Sequence, residues 1–134
     1  MHPFRQAVEA RDDAAMAALL AEDVVFTSPV AFKPYPGKAV TAAILRAVMR
    51  VFEDFRYIRE IGDGRDHALV FEATVAGKRI TGCDFLHVDD DGLIDDFMVM
   101  VRPLSGATAL AEQMAAQFPR IQAEALEETP RAGG

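Results

Sequence analysis

The chain has 134 residues, about half of them apolar and a quarter charged, with a net charge of −7. That is the size and balance of one water-compatible domain with its own core. The acidic balance argues against nucleic acid and against an anionic membrane surface, since both favour a basic patch. No stretch approaches the length of a membrane span. Cys83 is the only cysteine, which excludes an intrachain disulfide and a cysteine-built zinc site and leads us to expect a reducing, cytoplasmic setting. The segment Met1-His2-Pro3-Phe4-Arg5-Gln6 lacks the apolar run of a signal peptide.

Residues 4–22 are rich in alanine and read as helix, broken at Arg11-Asp12-Asp13. Phe4, Ala7 and Val8 form one apolar stripe, and Asp12 can cap a second helix carrying Met16, Leu19 and Leu20. A short strand follows over 24–27, closed by Ser28-Pro29. The loop Phe32-Lys33-Pro34-Tyr35-Pro36-Gly37 is dense in turn residues. Residues 39–51 have helical spacing at Val40, Ile44, Val48 and Val51. From there the pattern turns to strands: 55–61, 68–76, 79–88 and 93–102. The turns between them are Gly62-Asp63-Gly64, Gly77-Lys78 and Asp89-Asp90-Asp91-Gly92. A last amphipathic helix spans 107–118. The tail 119–134 is polar and expected to be flexible. We expect one domain over 1–118 and this tail.

Asp84 stands out within the third strand, because its neighbours on the same face are Ile80, Gly82, Leu86 and Val88. An unpaired carboxylate is costly to bury, so it neutralises, finds donors or faces a wet cavity. Such an acid is a candidate for ligand binding or proton transfer. Pairing the last hairpin about the 89–92 turn, with Arg102 opposite Ile80, would add Ile94, Met98, Met100 and Arg102 to the Asp84 face. Thr81, Cys83, Phe85, His87, Phe97, Val99 and Val101 would then share the other face. One helical layer covers only one face of an α+β sheet, so the second is expected to meet another copy of the chain, through Phe85, Phe97, Val99 and Val101.

The order of these features resembles the nuclear transport factor 2-like superfamily, and within it the SnoaL-like and ketosteroid isomerase-like members. The features that carry the resemblance run from 3 to 118: the helix–turn–helix ending Leu19-Leu20-Ala21-Glu22-Asp23-Val24, then Ser28-Pro29-Val30, then Gly37 opening a third helix, then the run of strands. The resemblance implies a cystatin-like cone, in which a curved antiparallel sheet wraps N-terminal helices around an apolar pocket. It also implies a homodimer formed through the outer sheet face. In the ketosteroid isomerase an Asp is the base, and a Tyr and a protonated Asp hold the oxyanion. Asp84-Phe85 falls on the protonated Asp. Ser28-Pro29-Val30 stands where the base lies in an Asp-Pro-Val triplet, and Phe4 stands where the Tyr lies. The acid of SnoaL-like cyclases falls near Arg102. Asp84 and Arg102 would also match part of the Asp-Arg-Asp set of limonene epoxide hydrolases.

Asp84 is therefore the candidate catalytic group, with Tyr35, Met98, Met100, Arg102, Ser28 and Phe4 as candidate ligand contacts. Tyr57, in a strand, is expected in the core or an interface. No two histidines have metal spacing, and the acidic 89–92 run lacks the distant Glu of a calcium loop. No metal or cofactor is implied. The expected function is binding of a small apolar, oxygen-bearing molecule, with isomerase-, cyclase- or hydratase-type chemistry at Asp84. The alternative is a non-catalytic binding or dimerisation module, which the missing base and Tyr favour.

Overall fold

The computed structural model describes residues 1–128. Two short helices open the chain, α1 (Pro3–Glu9) and α2 (Asp13–Ala18). Pro3 suits a first helical position because its missing N–H has no partner there anyway. The Asp12 carboxylate accepts from Ala15 N at 3.0 Å, as its cap position anticipates. Arg11 takes a left-handed φ of 52° and turns the chain between the two helices. Then come β1 (Leu20–Thr27), a two-residue β2 (Tyr35–Pro36) and α3 (Lys38–Val51). β1 begins earlier than the spacing predicts: Leu20 pairs with the sheet instead of ending α2.

The remaining strands are β3 (Glu53–Asp63), β4 (Asp66–Val75), β5 (Lys78–Val88) and β6 (Ile94–Arg102), followed by α4 (Leu104–Glu128). They form one curved, unclosed six-stranded sheet of order β2-β1-β6-β5-β4-β3, with β1 parallel to β6 and every other pair antiparallel. The helices cover its inner face. The core between them includes Phe4, Met16, Phe26, Ile44, Leu69, Phe71, Ile80, Leu86 and Phe97, all buried. Gly82 matters here because a Cβ at this position would lie 2.3 Å from the Phe71 ring, whose strand neighbour it is. The glycine lets that ring lie flat across β5.

The last hairpin departs from the expected register. Val88 pairs with Ile94, but His87 pairs with Asp96, so Asp95 is one extra residue in β6. From there on the pairing is moved by one: Asp84 faces Val99, Leu86 faces Phe97 and Gly82 faces Val101. Because side chains alternate, a one-residue slip exchanges the two faces completely. Phe97, Val99 and Val101 thus lie on the Asp84 side, and Phe97 is fully buried within the chain. Met98, Met100 and Arg102 lie on the outer side, opposite Phe85, Cys83 and Thr81. The extra Asp95 carboxylate sits 2.6 Å from Nδ1 of His87, on the outer face.

The C-terminal segment also differs from expectation. α4 continues through Pro119 to Glu128, and the buried Ile121 packs into the core. Glu124 pairs with Arg46 and Arg50 of α3. Apolar burial and ion pairing to α3 thus hold residues 119–128, whose polar surface alone reads as tail. Residues 129–134 of the expected tail lie outside the described residues. His67 lies half-buried against His2, with ring centroids 4.6 Å apart.

Candidate functional site

Asp84 points into the space between sheet and helices and is 6% exposed. Its Oδ2 accepts a hydrogen bond of 2.9 Å from the hydroxyl of Tyr57, which is buried on β3. One strand, β4, separates the partners in the sheet order. Tyr57 pairs with Phe71 on β4, and the Phe71 row leads to Gly82, next to Asp84 on the same face of β5. The Phe71 ring fills the space over Gly82, and the phenol reaches Asp84 from beside that ring. Phe55 and Phe71 hold the Tyr57 ring edge-on, and the Arg5 guanidinium lies 5.8 Å from its centroid.

Burial pushes the Asp84 carboxyl up to about 7, although the Tyr57 hydroxyl donating to it pulls the other way. Tyr57 is held well above its ordinary value, first by burial and then by the Asp84 charge and the shared hydrogen bond. The phenol therefore remains a donor, while the carboxyl populates both forms near neutral pH. Such a group can donate a proton in one state and take one in the other.

Asp84 and Tyr57 line an inner chamber of about 60 Å³. Its other walls are apolar apart from Ser28, with Phe4, Met49, Phe52, Phe97 and Val99 among them. An outer chamber of about 180 Å³ adjoins it and shares Phe26, Ser28, Val30, Ile44 and Met114. Ser28 and Phe4 line the inner chamber. The Ser28 hydroxyl accepts from Val30 N at 3.1 Å and has no basic partner among the described hydrogen bonds. Tyr35 lines the outer chamber only, its ring 5.7 Å from Phe118. Met98, Met100 and Arg102 are not in the pocket. The Asp95 bulge turns them outward, and Met100 is 53% exposed. Arg102 opposes Thr81, not Ile80, and is likewise exposed.

Tyr57 is the site residue that the sequence reading misses. The available signal is its spacing from Phe55 by two, which puts both rings on the inner face. Cys83 is half-buried on the outer face, and burial pushes its thiol up, away from a nucleophile's range. Among the described residues no three His, Cys, Asp or Glu side chains could hold a metal ion together. No helix among them is long and apolar enough to cross a membrane.

A SnoaL-like domain matches residues 2–97. The chain belongs to the SnoaL-like family. A steroid delta-isomerase from Pseudomonas aeruginosa has a similar crystal structure, with a TM-score of 0.84 and 43% identity over 90% of this chain and 89% of that one. A conserved protein from Silicibacter pomeroyi with a cystatin-like fold superimposes with a TM-score of 0.82 and 36% identity, over 92% of this chain and 95% of that one. A nuclear transport factor 2-like protein from Cytophaga hutchinsonii is similar in fold, with a TM-score of 0.58 and 20% identity over 75% of this chain and 85% of that one. No curated protein sequence matches the chain. This SnoaL-like chain thus has the cystatin-like, nuclear transport factor 2-like cone expected from its element order.

Proposed function

We propose that this chain binds a small apolar molecule through an oxygen, and that Asp84 hydrogen-bonds to that oxygen or exchanges a proton with the ligand. The carrying observation is the Asp84–Tyr57 hydrogen bond of 2.9 Å inside an otherwise apolar chamber. A carboxyl poised near neutrality beside a permanent phenol donor suits isomerisation, cyclisation or hydration without a cofactor. The similarity to a steroid delta-isomerase supports the isomerase class. The test is to supply a β,γ-unsaturated cyclic ketone in deuterated water and follow the conjugated product and deuterium uptake. Turnover by the wild type that falls at least about a hundredfold in Asp84→Asn supports proton transfer by Asp84. The second reading, binding without catalysis, draws on Ser28 and Phe4, which supply neither a base nor a second phenol in the chamber. Binding without turnover or exchange would decide for it.

The same reading has a second copy cover the outer sheet face. Two adjacent cross-strand rows there are mostly apolar, Ile61-Ala68-Phe85-Met98 and, starting from Arg59, Val70-Cys83-Met100. Beyond one row lie Arg56, Arg79 and Arg102, the first two ion-paired to Glu72 on the same face; beyond the other lie Asp63, Asp66 and Asp96, with His87 among them. A copy turned end for end would set each basic end against the other's acidic end, with the apolar rows between. The corrected strand faces move this surface from Phe97, Val99 and Val101 to Met98 and Met100, while Phe85 keeps its place. Sedimentation should give a dimer that Phe85→Glu converts to a monomer. A wild-type monomer at all concentrations would end this part of the proposal.

A further inference from the structure

The two chambers differ in what they offer a ligand. The inner one ends at Asp84 and Tyr57. The outer one measures about 180 Å³, and α4 forms one wall with Ala111, Met114, Ala115 and Phe118. Those four positions recur at helical spacing, so they share one face, and two of them are alanines. The small side chains leave the space that a Leu or Phe would fill. Phe26, Ser28, Val30, Ile44 and Met114 line both chambers, so the waist between the two lies at these side chains.

Among the described residues that line the outer chamber, Ser28 and Tyr35 alone carry a hydroxyl, and no other lining side chain bears nitrogen or oxygen. The Ser28 oxygen already accepts from Val30 N, which leaves its O–H to donate. The Tyr35 hydroxyl has no hydrogen-bond partner among the described residues; only its ring is engaged, against Phe118. A half-buried phenol and a serine hydroxyl that line the same apolar space are suited to reading one polar group on a mostly apolar molecule.

We infer that the outer chamber is a second recognition site, which selects ligands long enough to reach from Asp84 past the Ser28 waist and bearing a hydrogen-bonding group at their far end. The inference rests on Asp84 as the inner anchor. Ala111 and Ala115 set the available length, and Ser28 and Tyr35 read the distal group. They are specificity-determining residues and take no part in proton transfer.

Three probes separate these roles by calorimetric titration: cyclohexanone, the same ring with a phenyl group opposite the carbonyl, and the same with a para-hydroxyphenyl group. The wild type should bind the phenyl compound more tightly than cyclohexanone, and the hydroxyphenyl compound roughly tenfold more tightly than the phenyl one, the worth of one or two neutral hydrogen bonds. Tyr35→Phe should remove most of that last step and leave the other two affinities unchanged. Ala111→Leu should weaken both long probes about tenfold or more and spare cyclohexanone, which also shows that the variant is folded. Equal affinity for short and long probes, or unchanged binding of the long probes by Ala111→Leu and Tyr35→Phe, would overturn the inference. Asp84→Asn distinguishes the two layers: if the long probes keep their affinity there, the outer site stands and the Asp84 anchor falls. Failure of all three probes to bind the wild type would overturn both.

Discussion

The two hairpins that share β5 are built differently. β4 and β5 meet at Ala76-Gly77, where both residues take positive φ, 47° and 80°, a two-residue turn of the type that matches strand twist. From Val75–Lys78 to Asp66–His87 the pairing then runs without interruption. β5 and β6 meet through a longer acidic loop, in which the Asp89 carboxylate accepts from Asp91 N and Leu93 N. One residue later the Asp95 bulge moves the register. A tight turn leaves a hairpin one way to pair, whereas a longer loop tolerates an extra residue that changes every later side chain's face.

The largest expected effect is the difference between two single-residue deletions in β6. Deleting Asp95 removes only the extra residue, so Phe97 and Val99 still face inward. Deleting Met98 carries Val99 and Val101 outward and brings Arg102 to the inner side opposite Gly82. We expect the Asp95 deletion to fold cooperatively in a urea titration and the Met98 deletion to lose its transition altogether. Equal loss in both would break the bulge argument.

Next in size is the pH dependence at Asp84, which β5 holds in register through the tight hairpin. In the folded chain this carboxyl keeps its proton to about pH 7, against an ordinary value of 3.8. The folded state therefore binds the extra proton between those values, so stability falls as pH rises from 3.8 through 7. The contribution lost is on the order of 4 kcal/mol. Asp84→Asn should flatten this part of the stability profile and match or exceed the wild type at pH 8. Tyr57→Phe, which removes the donor that pulls the carboxyl down, should move its titration still higher, as read by carbon NMR of the labelled Asp side chain. A profile that is the same in wild type and Asp84→Asn would remove Asp84 as a neutral-pH proton carrier.

Gly82→Ala should cost about 1–3 kcal/mol, because the new methyl meets the Phe71 ring and the ring must shift into the chamber. Thermal melts measure the loss, and a smaller chamber should appear as weaker binding of the cyclohexanone probe. The smallest effect is expected at the tight turn itself. Ala76→Asn restores a residue that tolerates left-handed φ in front of Gly77, and should stabilise by about 1 kcal/mol. No gain in Tm would show that the turn is not strained by its alanine.

The difference between the hairpins also explains which site residues the sequence reveals. Asp84 stands out because its strand mates at two-residue spacing are apolar, and that spacing belongs to β5 alone. Ser28 and Phe4 fall in the pocket because each ends or begins a short element beside it. Met98, Met100 and Arg102 required the relative phase of two strands, which the bulge changes and no residue pattern in β6 declares. Tyr57 required more: it reaches Asp84 from two strands away, over β4, on a strand whose own pairing is irregular at Tyr57–Arg59. The helical run of 119–128 was hidden because one buried Ile121 and ion pairs to α3, not a strong apolar stripe, hold it in place.

The sequence by itself determined the order of helices and strands, the tight turns and the apolar company of Asp84, because propensity and side-chain alternation act over a few residues. Only the tertiary structure decided which face of β6 closes the pocket, that Tyr57 is the partner of Asp84, and that α4 extends the cavity outward. Those outcomes depend on how separate segments dock against one another, and docking is set by packing and register between segments rather than by the local pattern within any one of them.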